Sequence, residues 1–168
     1  MSNTKKQSYS LYTDGGCKRP GSVGAWAFVL VDNETQQEQR VCKGSYTTTN
    51  NRMELLAVIR GLQSIPDNSE VALVSDSEYV VKGIQEWMPG WKRRGWKRAV
   101  GPVINLDLWK QIDQQTQRLT VTPIWVKGHS NHKYNEICDQ LASHKIEELL
   151  ERINEREGKN RERSDVQS

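Results

Sequence analysis

The chain has no long apolar run, no paired cysteines, no internal repeat and no leader-like start. Without a run of about twenty apolar residues, no membrane-spanning helix is predicted. Residues 1–7 have neither an apolar signal core nor an Arg-rich amphipathic pattern, so no export or organelle address is read and a cytoplasmic location is expected. The three cysteines, Cys17, Cys42 and Cys138, are odd in number and far apart. That excludes a disulfide framework and any zinc-ligand spacing, and leaves reduced thiols. At 168 residues the chain has room for one domain with a real core and too little for two.

The net charge of +3 is small but unevenly placed. From residue 146 onward seven acids outnumber five bases, whereas residues 87–98 hold five Lys/Arg and no acid. A basic block of that density points to a polyanionic partner.

Hydrophobic patterning predicts a strand over 9–13, ended by Asp14-Gly15-Gly16 as a turn. A nearly all-apolar strand follows over 23–31 and a third over 38–46, giving an antiparallel meander. The period then changes. Leu55, Val58, Ile59 and Leu62 recur at helical spacing, and Pro66-Asp67-Asn68 ends that helix. A strand over 71–75 leads into a helix over about 77–86, interrupted by Pro89-Gly90. A helix over 105–117 precedes a last strand over 119–126, where Pro123 implies an edge position. Cys138, Ala142, Ile146, Leu149 and Ile153 form the stripe of a final helix. The charged segment 158–168 reads as a disordered tail, leaving 1–157 as a single domain. Strands and helices in this order predict an α/β fold: a mixed sheet flanked by helices, with its site near strand ends.

Four acids stand beside these elements, and each has a local alternative. Asp14 could close an Asx-type turn, with Gly15 and Gly16 supplying backbone freedom. Glu54 could complete a capping box with Asn51. Asp76 could cap the following helix, and Asp139 could be a solvated helix residue. Brought together, the four would instead form a centre for metal-dependent phosphoryl chemistry. His129 lies in a polar loop after the last strand, where an imidazole could exchange protons or simply face solvent; His132 and His144 read as surface residues. Trp87, Trp91 and Trp96 interleave with Lys92, Arg93, Arg94, Lys97 and Arg98. Indoles would shape a protrusion there and cations would meet phosphates.

Several segments occur in an order that resembles bacterial type 1 ribonuclease H (ribonuclease HI). They are Tyr12-Thr13-Asp14-Gly15-Gly16-Cys17, Thr48-Thr49-Asn50-Asn51-Arg52-Met53-Glu54-Leu55, Ser75-Asp76-Ser77-Glu78-Tyr79-Val80, Trp91-Lys92-Arg93-Arg94-Gly95-Trp96-Lys97, Asn105-Leu106-Asp107-Leu108-Trp109, and Trp125-Val126-Lys127-Gly128-His129 followed by Asn135-Glu136-Ile137-Cys138-Asp139. The resemblance spans roughly residues 9–146 and implies a ribonuclease H-like fold, a five-stranded mixed sheet flanked by helices. It implies endonucleolytic hydrolysis of the RNA strand of an RNA–DNA hybrid to 5′-phosphate and 3′-hydroxyl ends, with two Mg²⁺, or Mn²⁺, held by Asp14, Glu54, Asp76 and Asp139. His129 would handle protons. Substrate contacts would come from Cys17, Lys18, Arg19, Thr49, Asn50, Asn51 and Glu78, and from the protrusion through Trp87, Trp91, Lys92, Arg93, Arg94, Trp96 and Lys97. The chain departs from the family pattern at Glu78, where Gln is frequent, at Lys18-Arg19-Pro20-Gly21, where Gly-Asn-Pro-Gly is frequent, and at His132-Lys133-Tyr134. No separate amino-terminal hybrid-binding domain is read, and a monomer is expected. A non-catalytic nucleic-acid-binding module and a DNA-directed nuclease are the competing readings. Four acidic positions disfavour the first, and the Asn50-Asn51-Arg52 segment with its basic protrusion disfavours the second.

Overall fold

The computed structural model describes residues 5–128 and 132–166. Three antiparallel strands come first: β1 (Ser8–Cys17), β2 (Ser22–Asp32) and β3 (Glu38–Thr48). Helix α1 (Asn50–Gln63) leads to β4 (Glu70–Ser75). A composite helix follows, made of α2 (Glu78–Lys82), a π-helical turn (Gly83–Trp87) and α3 (Met88–Arg93). The chain ends with α4 (Leu106–Arg118), β5 (Thr120–Trp125) and the long α5 (Lys133–Val166). The sheet order is β3-β2-β1-β4-β5, with β4 parallel to both β1 and β5. This is the expected five-stranded mixed sheet, and β5 with its Pro123 lies at the edge.

Strand β2 is apolar throughout because both its faces are covered. Trp26, Phe28 and Leu30 point into the larger core with α1 and α4. The smaller Ala25, Ala27, Val29 and Val31 alternate to the other face, where Cys138 and Ala142 of α5 pack on them. Small side chains on that face let α5 lie close to the sheet. Among the described residues, no helix is long and apolar enough to cross a membrane.

The structure differs from the sequence expectations in four places. Asp14, Gly15 and Gly16 do not form a turn: they continue β1 and pair with Ala27, Trp26 and Ala25 of β2. The cap of α1 is Thr49, whose hydroxyl accepts from the Arg52 N–H, so Asn50 and Asn51 lie inside the first turn. Pro89 does not break the composite helix. The preceding turn is widened, with the Met88 N–H bonded to the Gly83 carbonyl, and the proline ring sits at the start of the restored α-helix, where a missing N–H costs little. Finally, the segment expected to be disordered from residue 158 is helical as far as Val166. Its Glu, Arg and Lys residues have high helix propensity, and neither proline nor more than one glycine interrupts it.

Gly83 has a packing reason. A β-carbon there would run into the indole of Trp109, which is fully buried. That ring is held edge-on by Tyr79 and by Trp91, each with centroids 5.4 Å away, and has nowhere to retreat. Gly83→Ala is expected to lower stability by about 2 kcal/mol through overpacking. Urea unfolding of parent and variant measures this, and an unchanged midpoint would contradict the packing described.

Candidate active site

The site begins with the centre of β1. Asp14 pairs with Ala27 and points to the face covered by α5, whereas the next residue faces α1 and allows a close approach: a β-carbon at Gly15 would collide with the backbone of Met53 and Glu54. With only hydrogen there, the first turns of α1 settle against β1 and Glu54 comes beside Asp14. Strand β4, parallel to β1, ends at Ser75 and delivers Asp76 to the same end of the sheet. The Trp125 indole of β5 fixes that corner by donating to the Asp76 carbonyl at 3.1 Å. Asp14, Glu54 and Asp76 thereby present carboxylate oxygens within 4.8 Å of one another.

These acids lie in poor company for negative charge. Burial, then the charges of Asp76 and Asp139, push the Asp14 carboxyl up to about 8, although the Gly15 N–H bonds to its Oδ1 at 2.9 Å and opposes the shift. Glu54 is 6% exposed and is pushed well above the usual carboxyl range, first by burial and then by Asp14 and Asp76. Its Oε2 is buried with no hydrogen-bond partner among the described residues. A buried, unpartnered carboxylate oxygen among like charges is costly unless a cation meets it. The donors are all hard oxygens, so the residues present fit a divalent cation such as those that coordinate phosphate oxygens.

Asp139 joins this group from α5. It reaches Asp14 closely enough to hydrogen-bond to it, and it lines a cavity of about 20 Å³ with Asp76, Lys127, Gly128, His132, Asn135 and Glu136. That volume suits a water or a single ion. The local capping and turn alternatives thus do not describe these acids: Thr49 caps α1, Ser77 caps α2, and Asp14 is a strand residue. His129 lies outside the described residues.

Asn135 was not singled out from the sequence. Among the described residues both polar ends of its amide are buried without a partner, and it sits one helical turn before Asp139 on the cavity wall. The i,i+4 spacing to Asp139 was the available signal. His132, read as loop surface, also lines this cavity.

The expected substrate contacts divide into several groups. The Asn50 Oδ1 accepts from the Cys17 N–H at 3.1 Å, which ties α1 to the β1–β2 turn. Lys18 and Arg19 are exposed on that turn, and Thr49 and Asn51 are exposed beside it. Glu78 turns toward Lys82, 3.6 Å away, where its charge has a counter-ion. Trp87 and Trp91 pack with centroids 6.1 Å apart, and Tyr79 and Trp109 complete an aromatic cluster beneath them. Trp96 packs against the same core in a left-handed backbone conformation. Lys92 departs from the expected cationic rim: its ammonium is held at 3.1 Å by Asp113, which is mostly buried and also accepts from Gln117. Among the described residues, Arg93, Arg94 and Lys97 have no ion pair and remain the available cations.

Arg52 proves structural. Its guanidinium forks onto Asp107 at 3.1 and 2.9 Å and also donates to Asn105 Oδ1 at 3.2 Å. The Asn105 amide and the Trp109 indole both donate to the Tyr79 hydroxyl, at 3.2 and 3.0 Å. A continuous polar and aromatic chain therefore joins the helix that bears Glu54 to the base of the protrusion.

The raised Asp14 carboxyl has a consequence for stability. In the folded, metal-free protein it keeps its proton to about pH 8, whereas an unfolded Asp releases it near 4. Between these values the folded state binds more protons, so metal-free stability falls as pH rises. Asp14→Asn removes the burdened charge. In chelator it is expected to raise Tm by several degrees at pH 8 and by little at pH 4. An equal or lower Tm at pH 8 would contradict the repulsion inferred here.

Residues 6–147 match the family model described as RNase H. The chain is 50% identical over 143 residues to a ribonuclease H of Pseudomonas fluorescens (strain Pf0-1), covering 84% of this chain and 92% of that protein. It is 51% identical over 136 residues to a ribonuclease H of Rhodopirellula baltica, covering 79% and 86%. Among solved structures, it resembles LC9-RNase H1, described as a type 1 RNase H with the type 2 active-site motif, at 29% identity and a TM-score of 0.77, covering 86% of this chain and 74% of that one. The fold also matches LC11-RNase H1 in complex with an RNA/DNA hybrid, at 22% identity and a TM-score of 0.62, over 84% of this chain and 99% of that one. A carboxylate cluster at this end of the sheet, a family match over most of the chain and relatives near half identity agree: the chain belongs to the ribonuclease H family.

Proposed function

We propose that Asp14, Glu54, Asp76 and Asp139 form the catalytic centre with which this ribonuclease H hydrolyses the RNA strand of RNA–DNA hybrids. The observation that carries the reading is the convergence of three carboxylates, Glu54 buried and Asp14 and Asp76 half-buried, with an orphaned oxygen on Glu54 among the described residues. A module that only bound nucleic acid would have no reason to gather negative charge where phosphate must approach.

Asp14, Glu54, Asp76 and Asp139 would hold two Mg²⁺, or Mn²⁺, which when bound supply charge neutralisation at the phosphate and an activated water. The remaining work falls to the chain. The Gly15 N–H fixes the Asp14 carboxylate in one orientation. Asn50 spends its oxygen on the Cys17 N–H, so its Nδ2 end is the donor left for a sugar hydroxyl. A 2′-hydroxyl is what separates RNA from DNA at such a contact. Thr49, Asn51, Lys18 and Arg19 border the same corner and would meet the backbone on either side. The aromatic cluster of Trp87, Trp91 and Trp96 gives the protrusion its shape, and Arg93, Arg94 and Lys97 would grip the DNA strand's phosphates. His129 is assigned to proton transfer and product departure by its place in the family pattern. Hydrolysis would break the bond from phosphorus to the 3′-oxygen, leaving a 3′-hydroxyl and a 5′-phosphate. The hybrid seen with LC11-RNase H1 supports the choice of substrate. The chain is proposed to act as a cytoplasmic monomer.

Labelled RNA–DNA, RNA–RNA and DNA–DNA duplexes incubated with and without Mg²⁺ test the assignment. RNA cleavage confined to the hybrid and dependent on metal is expected, and Asp14→Asn should lower turnover by several orders of magnitude while hybrid binding persists. Binding without cleavage in the parent chain would favour a non-catalytic module.

The protrusion gives a second expectation. Replacing Arg93, Arg94 and Lys97 with Ala should weaken hybrid binding and reduce its slope against log salt by up to about 3, because each lost contact releases about one fewer counterion. Lys92→Ala should change the slope by less than one of these, since its ammonium already answers Asp113. Fluorescence anisotropy across a salt series measures both. A Lys92 effect as large as Arg93's would contradict the division of roles.

A further inference from the structure

Helix α5 continues well beyond the core it packs against. Its last buried residue is Leu149, and Ile153 is the last that is even partly covered. The thirteen described residues after it are exposed and hold no place in either hydrophobic core. On this extension Arg156, Lys159 and Arg163 recur at i, i+3 and i+7, which places them along one face. Among the described residues none of the three enters an ion pair, although Glu155 stands four residues before Lys159. The neighbouring Lys145 and Arg152 differ, since both are engaged by Glu148, at 3.0 and 2.6 Å. Glu155 and Glu162 border this face on the Lys159 side, about 40–60° round the helix from it, while Arg156 and Arg163 stand about 80–120° clear of both, so an anion approaches from the arginine side.

The direction of α5 decides what that anion is. Near its start, the Cys138 thiol donates to the Tyr12 carbonyl under the middle of the sheet. Further along, Leu149 rests on Gly44 of β3, which pairs with Ala25, itself paired with Gly16. The helix therefore travels diagonally toward the end of the sheet where β1 ends, the end that carries Cys17, Lys18, Arg19 and Asn50. Past Leu149 the rise of an α-helix places the three cations roughly 10–20 Å further out.

We propose that Arg156, Lys159 and Arg163 form a second phosphate-binding surface, which engages the backbone of the same RNA–DNA hybrid outside the catalytic footprint. The proposal rests on the hybrid reading of the active site. An arm with no apolar face buries no hydrophobic surface by docking on protein, whereas a duplex that continued from the site past Asn50 would carry its phosphates toward this end of the sheet. The surface lengthens the grip on long hybrids and contributes nothing to short ones.

The test compares the full chain with a variant carrying Arg156→Gln, Lys159→Gln and Arg163→Gln. Hybrids of 8 and 24 base pairs are cleaved with Mg²⁺, and binding of the uncut 24-mer is followed in chelator from 50 to 200 mM salt. On the 24-mer the variant should show KM raised about 3- to 10-fold, unchanged kcat and a salt slope reduced by roughly 2–3. On the 8-mer its KM should equal the parent's. A second variant with Arg156→Lys and Arg163→Lys keeps the charge and should retain the parent's slope. An unchanged slope and KM on the 24-mer, or an equal loss on both lengths, would overturn the second surface. A parent chain that cuts no hybrid would instead remove the reading beneath it.

Discussion

The crowding of carboxylates at a poorly hydrated corner, where burial and then mutual repulsion both disfavour charge, is the constraint on which the rest of this structure depends. Asp14, Glu54 and Asp76 hold oxygens within 4.8 Å of one another, and burial keeps water from Glu54 and much of Asp14. Left alone, such a group takes up protons, as the high Asp14 and Glu54 carboxyls indicate. A hard divalent cation is the other means of relieving the charge, and it brings the chemistry with it. The centre is thus kept at some cost to the stability of the metal-free fold, as sites of this kind are.

The fold provides the rigidity that such a centre requires. Parallel pairing of β1 with β4 brings Asp14 and Asp76 to the same end of the sheet. The absent side chain at Gly15 lets α1 bring in Glu54, and the small residues on one face of β2 let α5 bring in Asp139. Arg52, Asn105, Tyr79 and Trp109 then tie α1 to the protrusion. Displacing the protrusion would therefore strain the helix that carries Glu54. Recognition and chemistry share one frame.

Much of this was legible in the sequence, and the failures have physical causes. The all-apolar β2 and the helical spacing of Leu55, Val58, Ile59 and Leu62 reported burial, which periodicity reads well. Asp14-Gly15-Gly16 misled because glycines that permit close packing look the same as glycines that make a turn. Pro89 misled because a widened turn removes the clash that would have ended the helix. The tail misled because helix propensity sustains it without a core. Lys92 looked like its neighbours, and its partner Asp113 is distant in sequence, so composition could not separate a tethered cation from available ones. The convergence of the four acids was suggested by their joint occurrence beside strand and helix ends and specified by the motif resemblance, since each acid alone had a sound local explanation. Asn135 stayed hidden because an orphaned amide is a property of three-dimensional packing.

The most direct measurement is a carbon-13 NMR titration of the Asp14 carboxyl in the metal-free chain, repeated with Mg²⁺ near pH 7. The account predicts a carboxyl that still holds its proton near neutrality and gives it up when the cation is added. A carboxyl that is ionised from about pH 4 upward, and indifferent to Mg²⁺, would contradict it.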